Sequence, residues 1–380
     1  MNKKQIHLSI ADMGTSEEYF IQKAFITNWI TTGGPNVDDF EEDLEEFFDE
    51  SVHVAALNSG TSAIHLALIL LGIGNGDEVI CQDFTFAATA FPILYLNAKP
   101  VFVDSEMKTW NMSPIYLKKA IEKRFNKTGK LPKAIIPVHA YGMPADMDEI
   151  NAVANDYNIP VIEDAAAALG SMYKRKKCGT LGNISILSFN GNKIITTAGG
   201  GAIISKDERI IKQAKLLASQ ARENTNFYSH QQTGYNYRLS NICAAIGRGQ
   251  MIVLPERIER RRKINQYYRK RLEIIEGVNF QKEPNRKFYS NYWMTTITVD
   301  QRKTGGVTAN DIQLALEKEN IESRPLWNPM HRQIVFSNSP FYGDGTSEHL
   351  FKNGLCLPSG SILTDKELRR VANVIKRTLK

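Results

Sequence analysis

Cysteine is scarce in this chain. Its 380 residues hold four, Cys81, Cys178, Cys243 and Cys356, and no two stand close enough for a CxxC pair. That spacing gives neither a disulfide frame nor a zinc site, and it suits reduced thiols in the cytoplasm. Long apolar runs are missing as well. The longest, Ala63 to Gly74, contains His65 and is too short to span a bilayer, so no membrane partner is expected. Near the N-terminus, Asp12 and the run Ser16-Glu17-Glu18 come too early to leave an apolar signal segment. Charge of one sign is not in large excess. The 47 Lys and Arg against 41 Asp and Glu leave +6, which does not call for nucleic acid and is compatible with a small anionic substrate. Internal repeats and low-complexity tracts are absent.

What is there is the composition of an ordinary globular protein, 42% hydrophobic and 23% charged, long enough for a sizeable core and two domains. Apolar runs recur at Val52–Leu57, Glu78–Cys81, Pro100–Val103, Ala134–His139, Pro160–Glu163 and Ile184–Phe189. Helical patterns lie between most of them, at Thr61–Leu71, Phe86–Leu96, Ser113–Phe125 and Met147–Tyr157. Two more precede them, one capped by Thr15 or Ser16 and one over Val37–Phe48. Strand–helix alternation predicts an α/β domain over residues 1–250, with a mostly parallel sheet covered on both faces. From Leu254 the pattern changes to one long charged helix ending near Ile275, a strand at Tyr292–Val299, and helices at Thr308–Glu319 and Thr364–Leu379. This predicts a smaller α+β domain over 251–380. Glu283–Asn291 and Ser337–Thr346 read as loops.

Three local patterns could carry chemistry. Ile159 to Asp164 is a buried strand ending in an acidic pair, and in a parallel sheet that end opens on the ligand crevice. Taken alone, an acid there more often caps a turn or pairs with an arginine. Lys193 stands between the Ser188 strand and Gly199-Gly200-Gly201, beside Ile194 and Ile195. Most lysines are surface groups, but one desolvated in such a setting loses proton affinity and can form a Schiff base. Asn58-Ser59-Gly60-Thr61-Ser62 joins a strand to a helix, where free N–H groups and the helix dipole seat an anion; the plainer reading is a simple N-cap. Together the three supply a phosphate seat, an acid for a ring nitrogen and an amine for an aldehyde.

With these patterns in place the chain resembles the sugar-nucleotide aminotransferases of the DegT type, pyridoxal-phosphate (PLP) enzymes of the aspartate-aminotransferase fold, fold type I. The likeness runs from His7-Leu8-Ser9 to Leu357-Pro358-Ser359-Gly360. It is carried by Asn28-Trp29-Ile30-Thr31, Leu57 to Thr61, Asp83-Phe84-Thr85-Phe86, Glu163-Asp164-Ala165-Ala166, Ser188 to Lys193, and Gly234 to Asn241. Ser188 to Lys193, Ser219 to Glu223, and Arg324-Pro325-Leu326-Trp327 are similar to the branch that aminates UDP-N-acetyl 4-keto-6-deoxy sugars of the bacillosamine type. The resemblance implies that Lys193 carries PLP and moves the proton, that Asp164 keeps the pyridine nitrogen protonated, and that Phe86 stacks on the ring. It implies a phosphate site of Ser59, Gly60, Thr61 and Ser188, reached by Asn236 from a neighbouring subunit of a homodimer. Trp29, Ile30, Asn190, Arg238, Arg324 and His331 would line the donor and nucleotide-sugar side, with glutamate as amino donor. One position departs from the pattern: many relatives carry Gln or Glu near the ring hydroxyl, where this chain has Ala167.

Two other readings stay in view. A PLP sugar dehydratase would have histidine where Lys193 stands, and a PLP-binding regulatory protein would keep the fold without turnover. Arg260-Arg261-Arg262-Lys263 reads as a solvated helix face, and His65 as a packed residue. His139 reads equally as structural or as part of the active site.

Overall fold

The computed structural model describes residues 4–49 and 51–380. Short strands of nearly continuous apolar sequence, buried on both faces, build its centre: β1 (His53–Leu57), β2 (Glu78–Gln82), β3 (Lys99–Val103), β4 (Ala134–Ile136) and β5 (Ile162–Asp164). A hairpin of β6 (Met172–Tyr173) and β7 (Lys176–Lys177) follows, then β8 (Ile184–Ser188) and β9 (Gly201–Ser205). β2, β3 and β4 pair in parallel, as do β5 and β8, and parallel bridges Ile135–Val161 and Val138–Asp164 join the two groups. β9 alone runs antiparallel, between β8 and β1. The sheet is therefore mostly parallel, as expected.

Helix α1 (Ser16–Ile26) packs on the later helix Asn241–Leu272, and further helices cover both faces: α2 (Pro35–Phe48), α3 (Gly60–Leu70), α4 (Phe91–Tyr95), α5 (Pro114–Thr128), α6 (Met147–Asp156) and α7 (Glu208–Ala218). Two differences from expectation have local causes. The helix expected over Phe86–Leu96 is broken into one turn at Ala87–Thr89 and the short α4, because Pro92 has no N–H to continue the ladder. Thr15 stands at the start of α1 without a capping bond, and Glu17 instead accepts from the Gly14 N–H at 2.9 Å.

The long helix α8 (Asn241–Leu272) starts well before Leu254, capped by Ser240 Oγ, which accepts from the Cys243 N–H at 3.1 Å; Pro255 lies inside it. Residue 250 is thus mid-helix. A second, antiparallel sheet follows in the order β10 (Val278–Phe280), β12 (Thr295–Val299), β15 (Gly354–Leu357), β13 (Arg324–Pro325). It packs with the end of α8, α9 (Ala309–Lys318) and α11 (Asp365–Thr378) into a core that also takes Ile6. Both stretches read as loops contain short strands. β11 (Phe288–Tyr289) pairs with β6, and β14 (Phe341–Tyr342), just before α10 (Thr346–Asn353), adds a parallel edge to β3. Two-residue strands carry no periodicity to read.

Candidate functional site

The carboxyl ends of β5 and β8 and the N-terminus of α3 open on a cavity of about 430 Å³. Its lining includes Ser59, Gly60, Thr61, Phe86, Asp164, Ala167, Ser188, Asn190, Lys193 and Arg324. Ten of the expected site residues therefore meet at one place, although they are spread over most of the chain.

Lys193 leaves β8 through a turn in which its N–H donates to the Asn190 carbonyl at 2.9 Å. Its Nζ lies 4.2 Å from the centre of the Trp293 ring. Burial pushes its proton affinity down to a pKa of about 8, against the opposing pull of the Asp164 charge. An amine with that affinity is available as a nucleophile and base near neutral pH. Asp164 ends β5 and is 3% exposed. Its Oδ1 accepts from the Ala166 N–H at 3.0 Å and its Oδ2 from Thr89 Oγ at 2.8 Å. Thr89 is held in turn by Thr85, 2.7 Å away. Burial raises the Asp164 pKa; the bonds from Thr89 and Ala166 and the Lys193 charge oppose this. A buried carboxylate with fixed donors on one side and a cavity on the other fits a protonated ring nitrogen.

The anion seat is built by close backbone approach. Ser59 Oγ caps α3, accepting from the Ser62 N–H at 3.0 Å, and the first N–H groups of α3 have no helical acceptors. A Cβ on Gly201 would come 2.5 Å from the Ser59 carbonyl carbon, and one on Gly60 would come 3.1 Å from Ser188 Cβ. Glycine at both positions lets the loop close onto the ends of β8 and β9. The seat fits a phosphate at a helix N-terminus. Phe86, 63% exposed, offers a free ring face over the same space. Ala167 sits at the wall formed by Tyr141, Trp293 and Trp327, so that wall is apolar.

The cavity of one chain does not include Trp29, Ile30, Asn236, Arg238 or His331. Trp29 and Arg238 lie outside it, against the Gly34 and Gly33 backbone of one turn. The Arg238 guanidinium packs on Gly33, and the Trp29 carbonyl accepts from Asn241 Nδ2 at 3.0 Å. Asn236 is exposed, and its carbonyl accepts from Asn58 Nδ2 at 3.3 Å. His331 is taken up elsewhere. Its Nδ1 is 2.9 Å from Asp83 Oδ2, its Nε2 is 3.1 Å from Glu348 Oε1, and its ring stacks on Phe341.

Sequence reading missed Thr89, Trp293, Tyr141 and Trp327. The Asp83-Phe84-Thr85-Phe86 motif pointed near Thr89, four residues after Thr85; nothing in the sequence set Trp293 against Lys193. The arginine run is corrected. Arg261 is 1% exposed, because its face of α8 turns inward, and Arg262 pairs with Glu283 and stacks on Tyr289. His139 is structural: its Nδ1 accepts from the Ala145 N–H and its Nε2 donates to Glu163 Oε1 at 2.8 Å, away from the cavity. That bond and donors from Gly179, Leu181, Gly182 and Ser185 hold Glu163 ionised, below its ordinary pKa despite burial. His65 is packed among Tyr95, Tyr235 and Tyr237, as expected.

A buried amine, a buried carboxylate and a helix-end anion seat around one cavity, on this sheet, fit a PLP enzyme of fold type I. Residues 12–376 match the DegT/DnrJ/EryC1/StrS aminotransferase family, and the chain belongs to that family. It is 50% identical over 376 residues to EpsN of Bacillus subtilis, provisionally named a pyridoxal phosphate-dependent aminotransferase, with 98% of this chain and 95% of that protein covered. It is 36% identical over 358 residues to a GDP-perosamine synthase of Escherichia coli O157:H7, covering 93% and 92%. A crystal structure of a family aminotransferase from Brucella abortus superposes with a TM-score of 0.88 at 28% identity, over 95% of each chain. Among the described residues no helix is long and apolar enough to cross a membrane.

Proposed function

We propose that the protein moves an amino group from glutamate to the 4-keto carbon of UDP-2-acetamido-2,6-dideoxy-hexos-4-ulose, for glycan or exopolysaccharide synthesis. The observation that carries the reading is the pairing of Lys193 and Asp164 across one cavity whose rim includes Asn190 and Arg324. Those two rim residues belong to the segments by which the sequence resembles the UDP-sugar branch.

Bound in this cavity, PLP would supply an electron sink. Asp164 would keep a proton on the ring nitrogen. Ser59, Gly60, Thr61 and Ser188 would hold the phosphate, and Phe86 would cover one ring face. Lys193 Nζ would accept and return the proton that amino transfer moves. Arg324 stands at the mouth, its guanidinium 3.1 Å from Glu322, placed to meet an anionic substrate.

The reading includes a homodimer with shared sites. Support comes from Trp29, Ile30, Asn236 and Arg238, site residues of the resemblance that do not line the cavity of one chain. Trp29 and Ile30 are each nearly half exposed. The free thiols Cys81, Cys178, Cys243 and Cys356 fit a reducing cytoplasm.

The test is a panel of UDP-, GDP- and TDP-linked keto sugars incubated with glutamate, with products read by mass. The UDP-linked N-acetylated 4-keto sugar is expected to be aminated first. Rapid amination of pyruvate or oxaloacetate with none of that sugar overturns the reading. Preference for a GDP-linked sugar would move the assignment toward the perosamine synthase relative. Conversion of the loaded protein by glutamate to its pyridoxamine form separates an enzyme from a binding protein.

A further inference from the structure

The loop that carries Lys193 is held from the second part of the chain. Trp293, just before β12, donates its indole N–H to the Asn192 carbonyl at 2.7 Å. The same carbonyl accepts from Ser9 Oγ at 3.0 Å. Behind the tryptophan, the buried Arg261 donates to the Trp293 carbonyl at 2.6 Å, the Ser359 carbonyl at 3.2 Å, Ser9 Oγ at 3.1 Å and the Lys193 carbonyl at 3.3 Å. Trp293 is itself fixed, its backbone N–H bonded to Asn291 Oδ1 at 2.8 Å. Among the described residues Lys193 Nζ makes no hydrogen bond and no ion pair; its close contact is the Trp293 ring face, 4.2 Å below it.

A transaminating lysine must leave the cofactor in each half-reaction, stay within reach as a base, and return. A buried ammonium given no hydrogen-bond acceptor by the protein needs another contact to hold it in place. An aromatic face attracts a cation, and more strongly where water is excluded. On the reading that Lys193 is the cofactor lysine, we infer that Trp293 is its positioning residue. The ring face receives Nζ whenever the lysine is free, and the indole N–H fixes the loop carbonyl next to it. The other ionisable groups around the cavity and this loop are Asp164, Tyr141, Cys356, Arg324 and Arg261. None of them bonds Nζ among the described residues.

Trace acetylation of the cofactor-free full-length chain across pH, read on the Lys193 peptide by mass, reports the proton affinity of this one amine. Trp293→Phe keeps a ring and loses the indole N–H, whereas Trp293→Leu loses both. The labelling midpoint is expected to fall by about half a pH unit or more in the leucine variant and to stay near wild type in the phenylalanine variant. Progressively fluorinated tryptophan placed at position 293 keeps the shape and drains the ring face, so it serves even if the leucine variant does not fold. A midpoint that falls stepwise with fluorine number supports the inference. An unchanged midpoint across the fluorinated series, or an equal fall in the phenylalanine and leucine variants, overturns it. Failure of the lysine assignment itself would be seen separately, as borohydride trapping of PLP on another residue.

Discussion

Replacing Asp164 by asparagine should uncouple stability from turnover. This carboxylate is 3% exposed, with two neutral donors and, among the described residues, no bonded cation, and burial raises its pKa. An acid whose folded pKa lies above its unfolded value costs stability when ionised. The cost begins above the unfolded value near 3.8 and is complete above the folded one, so it is present at neutral pH. Asp164→Asn removes it, and the cofactor-free variant should melt at the wild-type temperature or higher. With PLP bound the order should reverse, because on the proposed reading the charge then meets a ring N–H⁺ that an amide cannot hold. Loss of one preorganised charge at a reacting centre typically costs about 3–4 kcal/mol, roughly a hundred- to a thousand-fold in rate. The assay is a single-turnover conversion by glutamate followed through the cofactor's visible absorption, beside melting curves with and without PLP. A variant with near-normal turnover, or one melting several degrees lower without cofactor, would refute the reasoning.

Mixing a Lys193→Ala chain with an Asn236→Ala chain should restore activity if Asn236 serves the neighbouring subunit's phosphate, since the mixed dimer then has one site with both residues intact. If mixed dimers form and nothing returns, the shared-site proposal fails. His331 should give a pH-dependent clasp between the C-terminal segment and β2's end. Burial lowers its pKa, but Asp83 and Glu348 outweigh this and leave it raised. Its contribution is therefore complete below about pH 6.5 and is lost as pH rises through the folded value. The melting-temperature gap between wild type and His331→Gln should be widest in mild acid and shrink toward alkaline pH; a gap that widens with pH contradicts this.

The parts of the fold legible in the sequence were those fixed by periodicity. The strands at 53–57, 99–103 and 184–188 are buried apolar runs, and their helices carry amphipathic faces, so order and type could be read without tertiary knowledge. β14 could not be: Phe341–Tyr342 joins the main sheet because Asp104 accepts from the backbone N–H groups of Asp344, Gly345 and Thr346, a contact made across more than two hundred residues. The same holds in the site. Lys193, Asp164 and Ser59 stand in local contexts that are weak one by one and point to a site only when taken together. Arg261 looked like one cation among four on a charged helix, and only the docking of Ser9, Trp293 and Ser359 around it makes it an interior residue. Trp29 and Arg238 meet at the turn of Gly33 and Gly34, which the bridges from Thr32 and Gly33 to Ser240 hold in place.

The central claim is that Lys193 is the lysine that carries PLP. Borohydride reduction of the loaded protein, followed by proteolysis and mass mapping, should place the reduced cofactor on the peptide containing Lys193. The visible absorption of the lysine-bound cofactor should be missing from Lys193→Ala. Label on any other lysine, or unchanged absorption in that variant, would contradict the account.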